Sequence, residues 1–225
     1  MRLLWDYFAL SFSALLPLIN PLGSALIFLG LVGSAPIPVY HSLARRIAIN
    51  TVLFLVIIDL LGSAVLSFFQ ISLPIVQVSG GLVIAAIAWS MLNQVSSDSG
   101  SEKAQAAAQA QATMPDLMQK TFYPFTFPIT AGPGTLVVML TLAAHTPQRP
   151  LRANLLAHAG LLIAVLVLCT AVYFCYAYAP RLAQRISPST AHGILRVIAF
   201  LLLCIGVQIF WNGLAPLLTQ IAHPG

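Results

Sequence analysis

The sequence predicts an all-α, polytopic membrane protein of six transmembrane helices, arranged as two inverted three-helix repeats in which helices 1 and 4 are broken. Three observations predict it. Hydrophobic residues fill 59% of the 225 positions and charged residues 7%, too little polar surface to cover a soluble globule of this size. Six apolar runs are each long enough to cross a hydrocarbon core of roughly 30 Å. Two of those runs carry Pro/Gly interruptions at matching places. A lipid bilayer is therefore the solvent this chain requires.

The spans are expected at 7–32, 46–69, 72–94, 121–144, 154–178 and 194–219. The N-terminal run is longer than a signal peptide and has no clean small-residue cleavage site, so it is expected to remain as the first helix. The second and third runs meet at Gln70 to Pro74, which leaves room only for a tight antiparallel hairpin. Residues 95–120 open with Ser96-Ser97-Asp98-Ser99-Gly100-Ser101 and continue as an Ala/Gln-rich tract; this composition cannot bury a core and reads as a linker. The division is thus 1–94 as the first three-helix repeat, 95–120 as a cytoplasmic linker and 121–225 as the second repeat.

Ten basic and five acidic side chains give a net charge of +5. The excess is spread over several loops and not gathered into a patch with interleaved aromatics, which speaks against nucleic acid as a partner and makes the charge a topology signal. Arg2, Arg149 and Arg152 lie on one side of a six-helix arrangement. Arg45, Arg46, Lys103, Lys120, Arg181, Arg185 and Arg196 lie on the other. The positive-inside rule puts the larger set in the cytoplasm and both termini outside. Because each half has an odd number of helices, the halves enter the membrane from opposite faces, the layout of an inverted repeat.

Each half begins with an interrupted helix. The first carries Pro17 and Asn20-Pro21-Leu22-Gly23; the second carries Pro124, Pro128 and Gly132-Pro133-Gly134. Proline removes a backbone donor and glycine admits unusual conformations, so these motifs should open their helices. In lipid the freed groups are tolerated only where protein or a hydrated cavity covers them. The half-helices before the breaks, Phe8 to Ile19 and Phe122 to Ala131, would extend roughly 18 Å and 15 Å at about 1.5 Å per residue, which brings both breaks near the midplane.

Helices restarting after Gly23 and Gly134 would present amides and the positive end of a dipole to a carboxylate. The carbonyls of the half-helices ending before the breaks suit an ammonium group or a small cation. A zwitterion matches both ends without any fixed charge on the protein. The expected substrate-binding residues are Asn20, Pro21, Gly23, Ser24, Thr130, Gly132, Pro133, Gly134 and Thr135, and Thr126 offers a further hydroxyl. A single such break would read as an ordinary kink; two, inverted and at matching depth, read as a site.

Asp59 is the one acid placed deep in the bilayer, and such a residue is a functional hypothesis by default. It either binds a coupling H+ or Na+, or is protonated and hydrogen-bonded to another helix. Ser79-Gly80-Gly81 and Ala85-Ala86 read as close helix packing, and Gln208, Asn212, Asn93 and Gln94 as interhelical hydrogen-bonding groups. His145 and His158 are placed at the outer helix ends, with interfacial roles. Cys169, Cys175 and Cys204 lie in apolar runs with no ligand pattern, so neither a metal site nor a cofactor is expected.

Four segments carry a resemblance: Leu16-Pro17-Leu18-Ile19-Asn20-Pro21-Leu22-Gly23; Ile71-Ser72-Leu73-Pro74 with Ser79-Gly80-Gly81-Leu82; the stretch from Phe122 to Thr135; and Gly206-Val207-Gln208 with Asn212-Gly213. On these the chain resembles the MarC family, also called UPF0056, from end to end. The resemblance implies a multi-pass protein of the bacterial inner membrane, related to LysE-like exporters, some relatives of which are assigned transport of glycine and alanine. Asp59 and the Ala/Gln-rich linker stand outside these motifs.

The function expected is secondary transport of a small neutral solute, such as a neutral amino acid. With no phosphate-binding Walker motif, direct ATP coupling within the chain is not expected. A non-transporting structural or assembly protein is the alternative. A membrane-embedded enzyme would need an acid/base or nucleophile constellation, which a lone Asp59 with two peripheral histidines does not supply.

Overall fold

The structure is a computed structural model and describes residues 2–33, 35–94, 114–144, 146, 150–185 and 188–222. The described residues are helical with no strand. In chain order they form α1 (Arg2–Ile19), α2 (Pro21–Val32), α3 (Ile37–Phe68), α4 (Leu73–Gln94), α5 (Met114–Gln119), an irregular π-helical segment (Thr121–Thr130), α6 (Pro133–Ala144), α7 (Leu151–Ala177), α8 (Ala179–Arg185) and α9 (Pro188–Ala222). Five helices or helix pairs are long and apolar enough to cross a membrane singly. The π-helical segment and α6, bent by 70°, make a sixth if taken as one broken span. Of the expected linker, residues 95–113 lie outside the described residues, and 114–119 form α5.

The span ends follow local chemistry. Gly33, at φ 66°, closes α2 and donates its N–H to Leu29 O, a positive φ that glycine adopts without a Cβ clash. The α3–α4 hairpin turns through Phe69 and Gln70, with Ile71 N donating to Leu66 O at 2.9 Å. Long apolar side chains such as Leu60, Phe68, Trp89 and Val197 are exposed on the outside of the bundle, where a bilayer would cover them.

Small residues set the closest helix approaches. A Cβ on Gly81 of α4 would lie 2.4 Å from Phe210 N and 2.6 Å from Gly206 O of α9. One on Gly213 would lie 2.5 Å from Pro74 O, and one on Gly160 of α7 would lie 2.5 Å from Leu4 O of α1. Backbones this near can pack only where side chains are absent, the usual means of helix association in lipid.

The larger packing partnerships are α4 with α9, α1 and α2 with α7, α3 with α7, α3 with α6 and the π-helical segment, and α4 with α6. At the centre, Phe28 of α2 stacks on Tyr176 of α7 with centroids 4.4 Å apart, and meets Phe125 of the π-helical segment at 5.3 Å and Tyr40 of α3 at 5.8 Å. All four rings are buried, so one aromatic cluster clamps both interrupted spans.

Candidate functional site

The first interruption is confined to one residue. Pro17 lies inside α1 without ending it, and Asn20 takes the left-handed conformation, φ 42° and ψ 69°, which asparagine tolerates better than most residues. Pro21 then occupies the first position of α2, where its missing N–H costs nothing. The geometry differs here from the amide-presenting restart expected from sequence: Gly23 N donates to Asn20 Oδ1 at 3.0 Å, and Ser24 N donates to Asn20 O at 2.9 Å. Ser24 Oγ also donates to Asn20 O, at 2.8 Å. The amides are capped by the asparagine that starts the helix.

The second interruption is extended. Tyr123 and Phe127, each preceding a proline, hold φ/ψ of −116°/124° and −120°/127°, the β-region geometry that a following proline imposes. Backbone bonding shifts to wider spacing, with Ala131 N donating to Thr126 O at 2.9 Å. Two hydroxyls satisfy carbonyls five residues back: Thr126 Oγ1 donates to Thr121 O at 2.8 Å and Thr130 Oγ1 to Phe125 O at 2.7 Å. This is the repair that a proline-interrupted helix needs in lipid. Thr130 also meets Tyr176 Oη at 2.8 Å.

α6 then restarts at Pro133. Its Leu136 N reaches Gly132 O at 3.2 Å, so the amides of Gly134 and Thr135 come before the first such bond, as at any helix start. The Thr135 side chain is 1% exposed and its hydroxyl has no hydrogen-bond partner.

Both interruptions border one cavity of about 280 Å³. Asn20, Gly23 and Ser24 line it from the first and Gly132, Pro133, Gly134 and Thr135 from the second. Pro21 and Thr130, grouped with them in the sequence reading, are outside the lining. Thr126 is fully buried and bonded to Thr121. The remaining wall is apolar and comes partly from helices that the sequence reading did not assign to the site: Ile84, Ile87 and Met91 of α4, Leu195 and Leu202 of α9. Apolar lining residues carry no sequence signal distinguishing them from lipid-facing ones.

Asp59 is placed elsewhere. Its side chain is 0% exposed, and its Oδ1 and Oδ2 lie 2.9 Å and 3.0 Å from His158 Nδ1 of α7. His158 Nε2 in turn lies 3.2 Å from Thr146 Oγ1, which donates to Ala143 O at 2.8 Å. His158 is therefore not the interfacial group expected from sequence. It is about two turns inside α7, which starts at Leu151, and its ring is bonded on both nitrogens. Asp59 needed a partner, and His158 was the ionisable group at a compatible depth. That was the available signal.

Gln208 Nε2 donates to Asn212 Oδ1 at 2.8 Å; this bond lies along one helix, not between two as expected, because both residues are on the exposed face of α9. His145 lies outside the described residues. The three cysteines are free. Among the described residues, no three His, Cys, Asp or Glu side chains gather as a metal group would require.

Comparison with known proteins places this architecture. The family profile described as "MarC family integral membrane protein" matches residues 5–218. The chain belongs to the MarC family. Relatives in that family include the UPF0056 inner membrane protein MarC of Salmonella typhimurium, 28% identical over 213 residues, covering 93% of this chain and 95% of the relative. The protein of the same name from Escherichia coli (strain UTI89 / UPEC) is 25% identical over 211 residues, covering 94% and 95%. No solved structure matches the chain. Both interruptions, and the residues lining the cavity between them, fall within the matched range.

Proposed function

We propose that this MarC-family protein is a secondary transporter of a small neutral solute, a neutral amino acid such as glycine or alanine, held between the two interrupted spans. The observation that carries this reading is the Thr135 hydroxyl, buried and unpartnered at the wall of a cavity shared by both interruptions. A buried polar group without a partner costs free energy that a purely structural residue would avoid.

The cavity's chemistry supports a zwitterion. The first amides of α6 and the Thr135 hydroxyl offer donors to a carboxylate. Pro128 lines the cavity; in the π spacing its carbonyl would pair with residue 133, a proline with no N–H, which leaves an acceptor for an ammonium group. The volume of about 280 Å³ is just below the roughly 300 Å³ at which pockets for drug-sized ligands begin, and so favours a small solute. With its Asn20 cap closed, the first interruption contributes mainly shape and the Asn20 and Ser24 side chains.

In this reading 1–94 and 121–225 are inverted repeats that rock against each other, joined by 95–120 in the cytoplasm, with both termini in the periplasm of a bacterial inner membrane. The extensive packing of α4 on α9, the third span of each half, supports it. Met91 and Leu195, near the ends of α4 and α9 that the Lys/Arg distribution assigns to the cytoplasm, line the cavity, which supports access from that side.

Counterflow of labelled glycine and alanine in proteoliposomes tests the proposal. Accumulation of label against preloaded unlabelled solute is expected. Absence of movement in protein shown to be folded would replace the transport reading with a structural or assembly role.

A further inference from the structure

We propose that Asp59, His158 and Thr146 form the proton-binding site that couples transport, with α6 linking it mechanically to the solute cavity. This rests on the transport reading above and gives it its coupling ion.

The hydrogen-bond geometry limits how many protons the group holds. Thr146 has one hydroxyl proton, and at 2.8 Å it is directed to Ala143 O. Thr146 Oγ1 is then an acceptor, and a ring protonated on Nε2 is the one that fits the 3.2 Å contact between them. With Nε2 protonated, a second proton is needed between Nδ1 and the Asp59 carboxyl, which are 2.9 Å and 3.0 Å apart; otherwise a bare nitrogen would face a bare carboxylate. On this proposal the observed geometry corresponds to the proton-loaded form of the pair.

Release has a definite consequence. When the Nε2 proton leaves, the other remains on Nδ1, bonded to the carboxylate, and Nε2 becomes an acceptor. Thr146 is the donor within reach, and it can serve only by turning its hydroxyl away from Ala143 O. That bond caps the C-terminal end of α6. α6 is 12 residues long, about 18 Å, and its other end supplies Pro133, Gly134 and Thr135 to the cavity. Loss of one proton thus loosens one end of the helix whose opposite end holds the solute. Leu140 of α6 seats against Gly62, nearly one turn beyond Asp59 on α3, so the two elements are already in register.

Proton chemistry fits better than sodium. Both carboxylate oxygens lie against the single Nδ1 of the imidazole, a nitrogen neighbour where a sodium ion would require several oxygen ligands. The exchange route is through His158, whose side chain is 22% exposed while that of Asp59 is 0% exposed. Among the described residues the ion-pair partner of Asp59 is His158. The other titratable groups on α7 are Arg152, nearly two turns before His158, and Cys169, Tyr173, Cys175 and Tyr176, three or more turns after it; α1, which meets α7 at Gly160, carries Arg2, Asp6 and Tyr7. The π-helical segment against α3 adds Tyr123, α6 carries none, and α3 carries no other between Arg46 and Phe68.

Two measurements test the proposal. Nitrogen-15 histidine NMR of the reconstituted wild-type chain is expected to show both His158 ring nitrogens protonated at low pH, and loss of the Nε2 proton alone as pH rises. A ring that keeps one unchanging protonation state over the whole range in which the protein is folded would overturn the proposal. This readout needs no variant and no substrate. In proteoliposomes, the ratio of pH-gradient-driven uptake to counterflow of glycine or alanine is expected to collapse in Asp59→Asn and in His158→Gln. It should survive in Thr146→Ser, which keeps the hydroxyl, and fall in Thr146→Val. An undiminished ratio in Asp59→Asn would also overturn it. A titrating His158 in a protein that moves neither solute would leave the proton site standing and remove the transport reading instead.

Discussion

Asp59 and His158, 99 residues apart in sequence, meet at 2.9 Å between α3 and α7. The carboxyl is inaccessible to solvent, so the imidazole is its replacement for water. Removing one partner of a buried ion pair costs far more than removing both, because the survivor is left uncompensated. His158→Leu alone is expected to destabilise the folded protein by about 3 kcal/mol. The double variant Asp59→Leu with His158→Leu should recover most of that loss, read as thermal unfolding midpoints in lipid bicelles.

Thr135→Val separates stability from function. The hydroxyl has no partner, so its removal should leave the unfolding midpoint unchanged or raised, corresponding to about 1 kcal/mol of relieved desolvation. Solute counterflow should fall in the same variant. A purely structural threonine would show the opposite pattern.

At Asn20 two contributions can be separated by substitution. Asn20→Gly keeps access to φ 42° and loses only the bond to Gly23 N, so a cost of a few tenths of a kcal/mol is expected. Asn20→Ala loses the cap and adds left-handed strain, for about 2 kcal/mol together. The order of the two midpoints in thermal unfolding checks this.

Gly81→Ala should separate α4 from α9, since the new Cβ would meet backbone atoms at 2.4 Å and 2.6 Å and backbone cannot rotate aside. A loss of about 1–3 kcal/mol is expected. Gly30→Ala is the matched control: a Cβ there meets nothing within 4 Å, and an exposed helical glycine gains up to about 1 kcal/mol on replacement by alanine.

Tyr176→Phe removes the hydroxyl that meets Thr130 at 2.8 Å and preserves the ring stacked on Phe28. Thr130 keeps its bond to Phe125 O, so the cost should stay near 1 kcal/mol. Tyr176→Ala empties the centre of the aromatic cluster and should cost about 3–5 kcal/mol. Circular dichroism melts of the two variants would distinguish tether from clamp.

The spans and the positions of their interruptions were legible in the residues alone. Length and hydropathy locate a membrane helix because the bilayer's thickness and its intolerance of bare backbone are constraints every segment meets alone. Asn20-Pro21 and Gly132-Pro133-Gly134 were visible for the same reason, since proline and glycine act on their own backbone. Tertiary structure alone decided what each side chain faces. The two interruptions look alike in sequence, yet Asn20 caps its own helix while Thr135 is left unpartnered at the cavity. His158 was placed at an interface until α7 packed against α3 and turned it onto Asp59. Periodicity fixes a residue's depth along a helix; only packing fixes the direction in which it points, and the chemistry proposed here depends on direction.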